Sequence, residues 1–245
     1  MANSDTVVLL TTWNRPALLA QALSHITREA ALVGAPVVVV DDKSDNRQTL
    51  AILSEARARG TDVVTREWAR TEYDNPHYAT GFNAEYAFRY ALDKYDPEFV
   101  IKVDDDIVLG DFAFAKLRDS YDAAVTEGCQ VLACSGLQGI YESSTMEREY
   151  WRFCLVATAC AACCLYPAYY MRHFLDNTPL GEVGANGWDH AYLDYRNKWH
   201  PNGVFANTYP KSIAFHAGFS GVHLSGVDIN RKNKFDGSIE GVVTN

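Results

Sequence analysis

An α/β fold with a mainly parallel central sheet flanked by helices is what this 245-residue chain predicts, on three observations. Short apolar runs (Val7 to Thr12, Val37 to Val40, Phe99 to Val103) alternate with amphipathic segments of helical length, the pattern of right-handed βαβ units. Each run ends in a polar mouth: Thr11-Thr12-Trp13-Asn14, Asp41-Asp42-Lys43-Ser44-Asp45 and Asp104-Asp105-Asp106. No internal repeat or low-complexity linker interrupts the chain. In open parallel sheets ligands bind beyond the carboxyl ends of the strands, so the three mouths converge on one candidate edge.

Taken in order, Val7 to Thr12 reads as a buried strand. Asn14-Arg15-Pro16 then supplies an N-cap and a proline for the first turn of a helix. Leu18, Leu19, Ala22, Leu23 and Ile26 recur at helical spacing and form its apolar face. Val37 to Val40 is a second strand. Arg47 to Arg59 is a helix stopped by Gly60, and Asp62 to Trp68 a third strand. Gly81 to Tyr95 is helical until Asp96-Pro97 breaks it, after which a strand runs from Phe99 through the aspartates to Leu109. Beyond it the pattern predicts a helix over Phe112 to Glu127, a strand over Gln130 to Leu137 and one or two strands over Trp151 to Tyr166. A turn-rich loop from Pro179 to Gly187, a helix over Trp188 to Trp199 and a strand over Ser212 to His216 follow, before a glycine-rich loop and a basic tail.

Composition narrows the function classes. Hydrophobic residues at 48% and charged residues at 22% are those of an ordinary globular chain with room for one large domain. A net charge of -9 argues against a broad nucleic-acid surface. No run approaches a membrane span, and Met-Ala-Asn-Ser-Asp lacks the basic and apolar regions of a secretory leader, so the expected location is the cytoplasm. Cys129, Cys134, Cys154, Cys160, Cys163 and Cys164 read as free, mostly buried thiols, since Cys160-x-x-Cys163 has no second pair to complete a zinc site.

The aspartate triplet asks for a cation. On a continuous strand Asp104 and Asp106 point one way and Asp105 the other. Paired carboxylates are hard oxygen ligands suited to magnesium, manganese or calcium, and an ion held by two of them completes its shell with water and substrate phosphates.

These motifs, in this order along nearly the whole chain, resemble the nucleotide-sugar-dependent glycosyltransferases of the GT-A fold, most closely those like glycosyltransferase family 2. Leu10-Thr11-Thr12-Trp13-Asn14-Arg15-Pro16 resembles the family's opening strand and turn. Val39-Val40-Asp41-Asp42-Lys43-Ser44-Asp45 resembles its Val-Asp-Asp-Gly-Ser motif, and Asp104-Asp105-Asp106 its D-x-D. The resemblance implies one GT-A domain over residues 1–245, with 1–109 as the nucleotide-sugar half and 110–245 as the acceptor and catalytic half. It implies that Thr11, Asn14, Arg15, Asp42, Asp104 and Asp105 contact the donor, Asp42 accepting a hydrogen bond from the base. Asp104, Asp106 and His216, the last in a segment resembling the family's late His-x-Gly, would bind Mn²⁺ or Mg²⁺. Gly187-Trp188-Asp189-His190 falls where the family carries a Glu-Asp pair at a helix start, which makes Asp189 the candidate base. Trp188 replaces the glutamate and is read as a surface that could stack on a sugar. Asn83 is displaced from the family's Ala-x-Asn position, while His223, Arg231, Lys232 and Lys234 are candidates to meet the diphosphate.

The activity so implied is transfer of a sugar from a nucleotide-diphosphate donor, a UDP-sugar by preference, to an acceptor hydroxyl, with inversion through Asp189. Retention stays open. A metal-dependent nucleotidyltransferase is a competitor, disfavoured because Thr12-Trp13-Asn14-Arg15-Pro16 holds no phosphate-loop glycine, and a non-catalytic sugar-nucleotide-binding module is another. The expected acceptor is a saccharide or glycolipid, with a protein or modified nucleic acid as alternatives. Tyr141, Tyr150, Trp151, Trp188 and Trp199 are the aromatic candidates to line its site.

Overall fold

A computed structural model describes residues 5–66, 76–137, 146–156, 161–178 and 187–217. Along the chain run β1 (Thr6–Thr12), α1 (Pro16–Val33), β2 (Val37–Asp41), α2 (Arg47–Ala58), β3 (Asp62–Thr65), α3 (Pro76–Tyr95), β4 (Phe99–Asp104) and β5 (Ile107–Leu109). They are followed by α4 (Ala113–Thr126), β6 (Val131–Ser135), β7 (Met146–Glu149), β8 (Phe153–Val156), β9 (Cys163–Pro167), α5 (Ala168–Asn177), α6 (Gly187–Trp199), β10 (Val204–Thr208) and β11 (Ala214–His216). Asp62 to Thr65 of the expected third strand is observed, and Trp68 lies outside the described residues.

Nine strands form one sheet in the order β3-β2-β1-β4-β9-β6-β10-β8-β7. The α/β class holds, and the first four strands are parallel throughout. The sheet as a whole is mixed, however, because β9 runs antiparallel between β4 and β6, and β8 and β7 add an antiparallel edge to β10. Strands β7 and β10 and helix α5 had no counterpart in the periodicity. Arg148-Glu149 at the edge is charged rather than alternating, and Val204–Thr208 pairs in parallel with β6 only after a long excursion of the chain.

Side-chain alternation sorts the core into two layers. Val8, Leu10, Val39, Ile101 and Val103 pack under α1, α2 and α4, with Leu19, Ala22, Ile26, Leu53, Phe114 and Leu117 above them. Val7, Leu9, Val38, Val40 and Val100 pack under α3, α5 and α6, against Ala87, Phe88, Ala91, Phe174 and Tyr192. Every residue of the expected α1 face, from Leu18 to Ile26, is buried. Proline opens the helix as expected, but the N-cap is Arg15, whose side chain makes no cap bond. Asn14 instead adopts φ 52 and turns its side chain to the neighbouring loop.

Helix α4 also lacks a local cap, since Phe112 stands at its N-cap with φ 59 and offers no acceptor. Glu29 of α1, 1% exposed, supplies one across the layer: its Oε2 accepts from the Ala113 amide at 2.7 Å, and Arg28 holds Oε1 at 3.1 Å. Removing that acceptor strands a buried amide at the positive end of a helix dipole. Glu29→Ala is expected to lower stability by about 1–3 kcal/mol, read as a lower urea midpoint with unchanged slope.

The strand expected from Phe99 to Leu109 is broken. β4 stops at Asp104, Asp105 and Asp106 form a turn, and β5 leaves the main sheet to pair antiparallel with β11. That pairing puts His216 opposite Ile107, and the Ala217 amide donates to the Asp106 carbonyl at 2.7 Å. The lead into β11 is anchored at Gly136, whose carbonyl accepts from the Ile213 amide and the Ser212 hydroxyl at 2.9 Å each. A Cβ at Gly136 would meet Ile213 Cγ1 at 2.7 Å, so this approach depends on glycine.

Candidate active site at the carboxyl edge of the sheet

Parallel pairing carries the three polar mouths to one edge. Thr11 stands beside Asp104 and Val40, and the ladder continues beyond the strands through Asp42 N–H to the Thr12 carbonyl and Arg66 N–H to the Asp41 carbonyl. The two adjacent aspartates of the second mouth divide their work. Asp41, fully buried, accepts from the Ser44 hydroxyl at 2.6 Å and from the Ser44 amide, and so shapes the loop. Burial pushes its carboxyl above the usual range, against those Ser44 bonds and one from the Thr65 side chain.

Asp42, 2% exposed, is paired through Oδ1 with Arg66 Nε at 2.8 Å and with the Arg66 Nη2 group. Arg66 is itself 4% exposed. It had not been singled out in the sequence, although a cation one step past a strand at a carboxylate-rich edge is the available signal. A fixed carboxylate at this edge is what reading a base N–H requires.

Asn14, expected at the donor, braces the edge. Its amide N–H donates to Ser44 Oγ at 2.9 Å, and its side-chain oxygen accepts from the amides of Asp45 and Asn46 at 3.0 Å each. The side-chain nitrogen donates to Asp45 Oδ1 at 2.7 Å. Asn83 lies in α3 on the sheet-facing side, 7% exposed, with its Oδ1 buried and without a hydrogen-bond partner.

The aspartate triplet differs from the continuous-strand expectation. Because the strand ends at Asp104, Asp105 and Asp106 do not simply alternate: one nitrogen of Arg15, Nη1, bridges Asp105 Oδ1 at 2.9 Å and Asp106 Oδ2 at 2.8 Å. Thr12 Oγ1 donates to the other oxygen of Asp105 at 2.8 Å. Burial, reinforced by the charge of Asp106 and opposed by Arg15, raises the Asp105 carboxyl to about 6. Burial acts to lower the Arg15 guanidinium, but Asp105 and Asp106 outweigh it and leave it raised. Asp104 is held by the Lys102 ammonium from two residues earlier on the same strand face.

Among the described residues no three carboxylate, imidazole or thiolate groups converge closely enough to hold a metal ion by themselves. Two do face each other. Asp106 Oδ1 is buried without a hydrogen-bond partner and lies 3.6 Å from His216 Nε2, both residues being under 10% exposed. A buried carboxylate oxygen left without a donor is costly unless something cationic completes it. An oxygen-nitrogen pair of this kind fits Mn²⁺ or Mg²⁺ completed by phosphate oxygens and water.

Helix α6 places Asp189 in its first turn and leaves it exposed, with Oδ1 accepting from the His190 amide at 3.0 Å. Trp188 is not a sugar platform. It is 4% exposed and packed edge-on against Phe88 with centroids 5.5 Å apart, beside Tyr166. One turn of helix therefore buries its aromatic residue to anchor the carboxylate next to it. Of the other aromatic candidates, Trp151 is 87% exposed at the β7–β8 turn and Trp199 is 43% exposed, whereas Tyr150 stacks on Phe153. Tyr141, His223, Arg231, Lys232 and Lys234 lie outside the described residues, as does Cys160. The five described cysteines are free thiols.

A parallel β3-β2-β1-β4 half, an antiparallel β9 closing it and an acidic turn after β4 define the class: this is the fold of the GT-A glycosyltransferases. The chain is similar to S. aureus TarS, with 16% identity and a TM-score of 0.56 over 86% of this chain and 36% of that one. It is similar to S. aureus TarS 1-349 in complex with UDP, with 18% identity and a TM-score of 0.57 over 85% of this chain and 59% of that one. The mannosyltransferase PcManGT from Pyrobaculum calidifontis in complex with GDP-Man and Mn²⁺ matches at 18% identity and a TM-score of 0.49, over 77% of this chain and 50% of that one. The chain thus spans between 36% and 59% of the length of these structures. No family model matches it, and no curated protein sequence does. No helix among the described residues is long and apolar enough to cross a membrane.

Proposed function

We propose that this protein is a metal-dependent glycosyltransferase that moves a sugar from a nucleotide diphosphate, a UDP-sugar by preference, to an acceptor hydroxyl with inversion. The observation that carries this reading is the single edge on which a fixed, buried Asp42 stands across β1 from an acidic turn whose Asp106 oxygen faces His216 without a donor. The base pairs with Asp42, held in place by Arg66, and Thr11 flanks it. Residues 1–109 then form the donor half and 110–245 the acceptor half of one domain.

Asp106 and His216 would hold Mn²⁺ or Mg²⁺, with Asp104 nearby, and the chemistry such an ion would supply is neutralisation of the charge that grows on the leaving diphosphate. Arg15 keeps Asp105 and Asp106 in register and is exposed enough, at 27% of its side chain, to lend charge to the diphosphate. Asp189 takes the proton from the acceptor hydroxyl as it attacks the face opposite the leaving group. The acceptor is a saccharide or glycolipid, met by Trp151, which is exposed at the turn leading into the end of β8 that pairs with Thr208.

The test is a calorimetric titration of UDP with and without Mn²⁺ into the wild type and Asp106→Ala. The expected result is UDP binding strengthened by Mn²⁺ in the wild type, with that enhancement absent in the variant. Binding of GDP or dTDP in place of UDP would change the donor and keep the class, whereas failure of every nucleotide to bind would overturn the reading.

A further inference from the structure

Lys102 is an unexpected residue for its position. It sits in the middle of β4, between Leu9 of β1 and Cys164 of β9, on the face that carries Val100 and the α3, α5 and α6 layer. Its side chain is 3% exposed, and an apolar residue there would pack without desolvating a charge. The ammonium reaches along the strand to Asp104 Oδ1, and the Trp188 ring lies over it with its centroid 5.5 Å from Nζ. One lysine thus touches the acidic turn at one end and, through Trp188, the first turn of the helix that carries Asp189.

Charge gives such a residue a role. Asp104, Asp105 and Asp106 contribute -3, and Lys102 and Arg15 contribute +2, which leaves a net charge of -1 on the triplet and its two paired cations. Three uncompensated carboxylates would attract a divalent ion strongly, whether or not substrate were present. With the cluster nearly balanced, a cation gains most of its stabilisation from phosphate oxygens that arrive with the donor.

We propose that Lys102 is a positioning residue that engages Asp104 and sets the cluster's charge so that the metal binds tightly only together with the nucleotide diphosphate. The proposal rests on the nucleotide-sugar reading of the site. Through the Trp188 contact, the same residue keeps the base-bearing turn of α6 in register with the ion pair.

The experiment follows free Mn²⁺ by electron paramagnetic resonance at pH 8 in the full chain, with and without UDP, for the wild type, Lys102→Met, Lys102→Gln and Lys102→Arg. The wild type is expected to bind Mn²⁺ weakly alone and at least tenfold more tightly with UDP. Both neutral variants should bind Mn²⁺ alone about tenfold more tightly than the wild type, with a smaller further gain from UDP. Lys102→Arg should restore the wild-type pattern. Equal Mn²⁺ affinities in the wild type and a folded neutral variant, with UDP still strengthening both, would overturn this proposal and leave the donor site standing. Should neither neutral variant fold, the wild type decides: tight Mn²⁺ binding without UDP overturns the proposal. A wild type that binds Mn²⁺ under neither condition overturns the metal reading and this one with it.

Discussion

Asp189→Asn is expected to lower kcat by about 10²–10⁴-fold, the span general-base catalysis contributes, while the donor KM and the thermal midpoint stay near their wild-type values. The separation follows from where the residue stands. Asp189 is exposed on the first turn of α6, and its one described hydrogen bond is to the neighbouring His190 amide, a bond the asparagine oxygen can also accept. The helix is anchored by Trp188, Tyr192 and Tyr195, none of which the substitution touches. Steady-state kinetics with the donor identified by calorimetry, together with a melting curve, check the prediction. A fall in kcat below tenfold would remove Asp189 from the role of base, and a large fall in melting temperature would assign it to the fold.

The second large effect falls on stability. Arg66→Met should destabilise the protein by about 3–5 kcal/mol, because it withdraws one member of a buried ion pair and with it the guanidinium bonded to the Asp42 carboxylate. Both partners are under 5% exposed, so water cannot take over the lost interaction without opening the edge. The double variant Arg66→Met, Asp42→Leu should recover much of that loss, since the carboxylate that lost its guanidinium is gone as well. Recovered stability with nucleotide binding still absent would separate the pair's structural work from its recognition of the base. Urea denaturation of the wild type and both variants measures the first, and calorimetry the second. A single-variant loss under 1 kcal/mol would mean that other groups around Asp42 carry the balance.

Periodicity and punctuation made much of the first half of the chain legible before any coordinates. The stripe Leu18, Leu19, Ala22, Leu23, Ile26 is the buried face of α1, the β-branched run Val37 to Val40 is the core of β2, and Gly60, at φ 95, stands just beyond α2. Such signals are local, since they reflect which side of one element meets the core. The second half was harder to read. β9 runs against its neighbours on both sides, and an antiparallel strand inserted between parallel ones leaves no mark in its own composition.

At the site the division runs the same way. The sequence by itself determined that Thr11, Asp42 and Asp104 to Asp106 stand at strand ends on one edge, because strand alternation and βαβ handedness leave the carboxyl ends no other place. Only the tertiary structure decided what those carboxylates meet. Arg15 bridging Asp105 and Asp106, Arg66 on Asp42, Lys102 under Trp188 and His216 facing Asp106 are pairings across crossovers or onto a second small sheet. Sequence spacing carries no information about them. Trp188 makes the point in a single residue: as a motif position it could stack on a sugar, and burial beneath α3 turned it into the anchor of the helix that carries Asp189. Whether an aromatic ring faces solvent or core depends on the neighbouring layer, which the residue's own stretch of sequence does not contain.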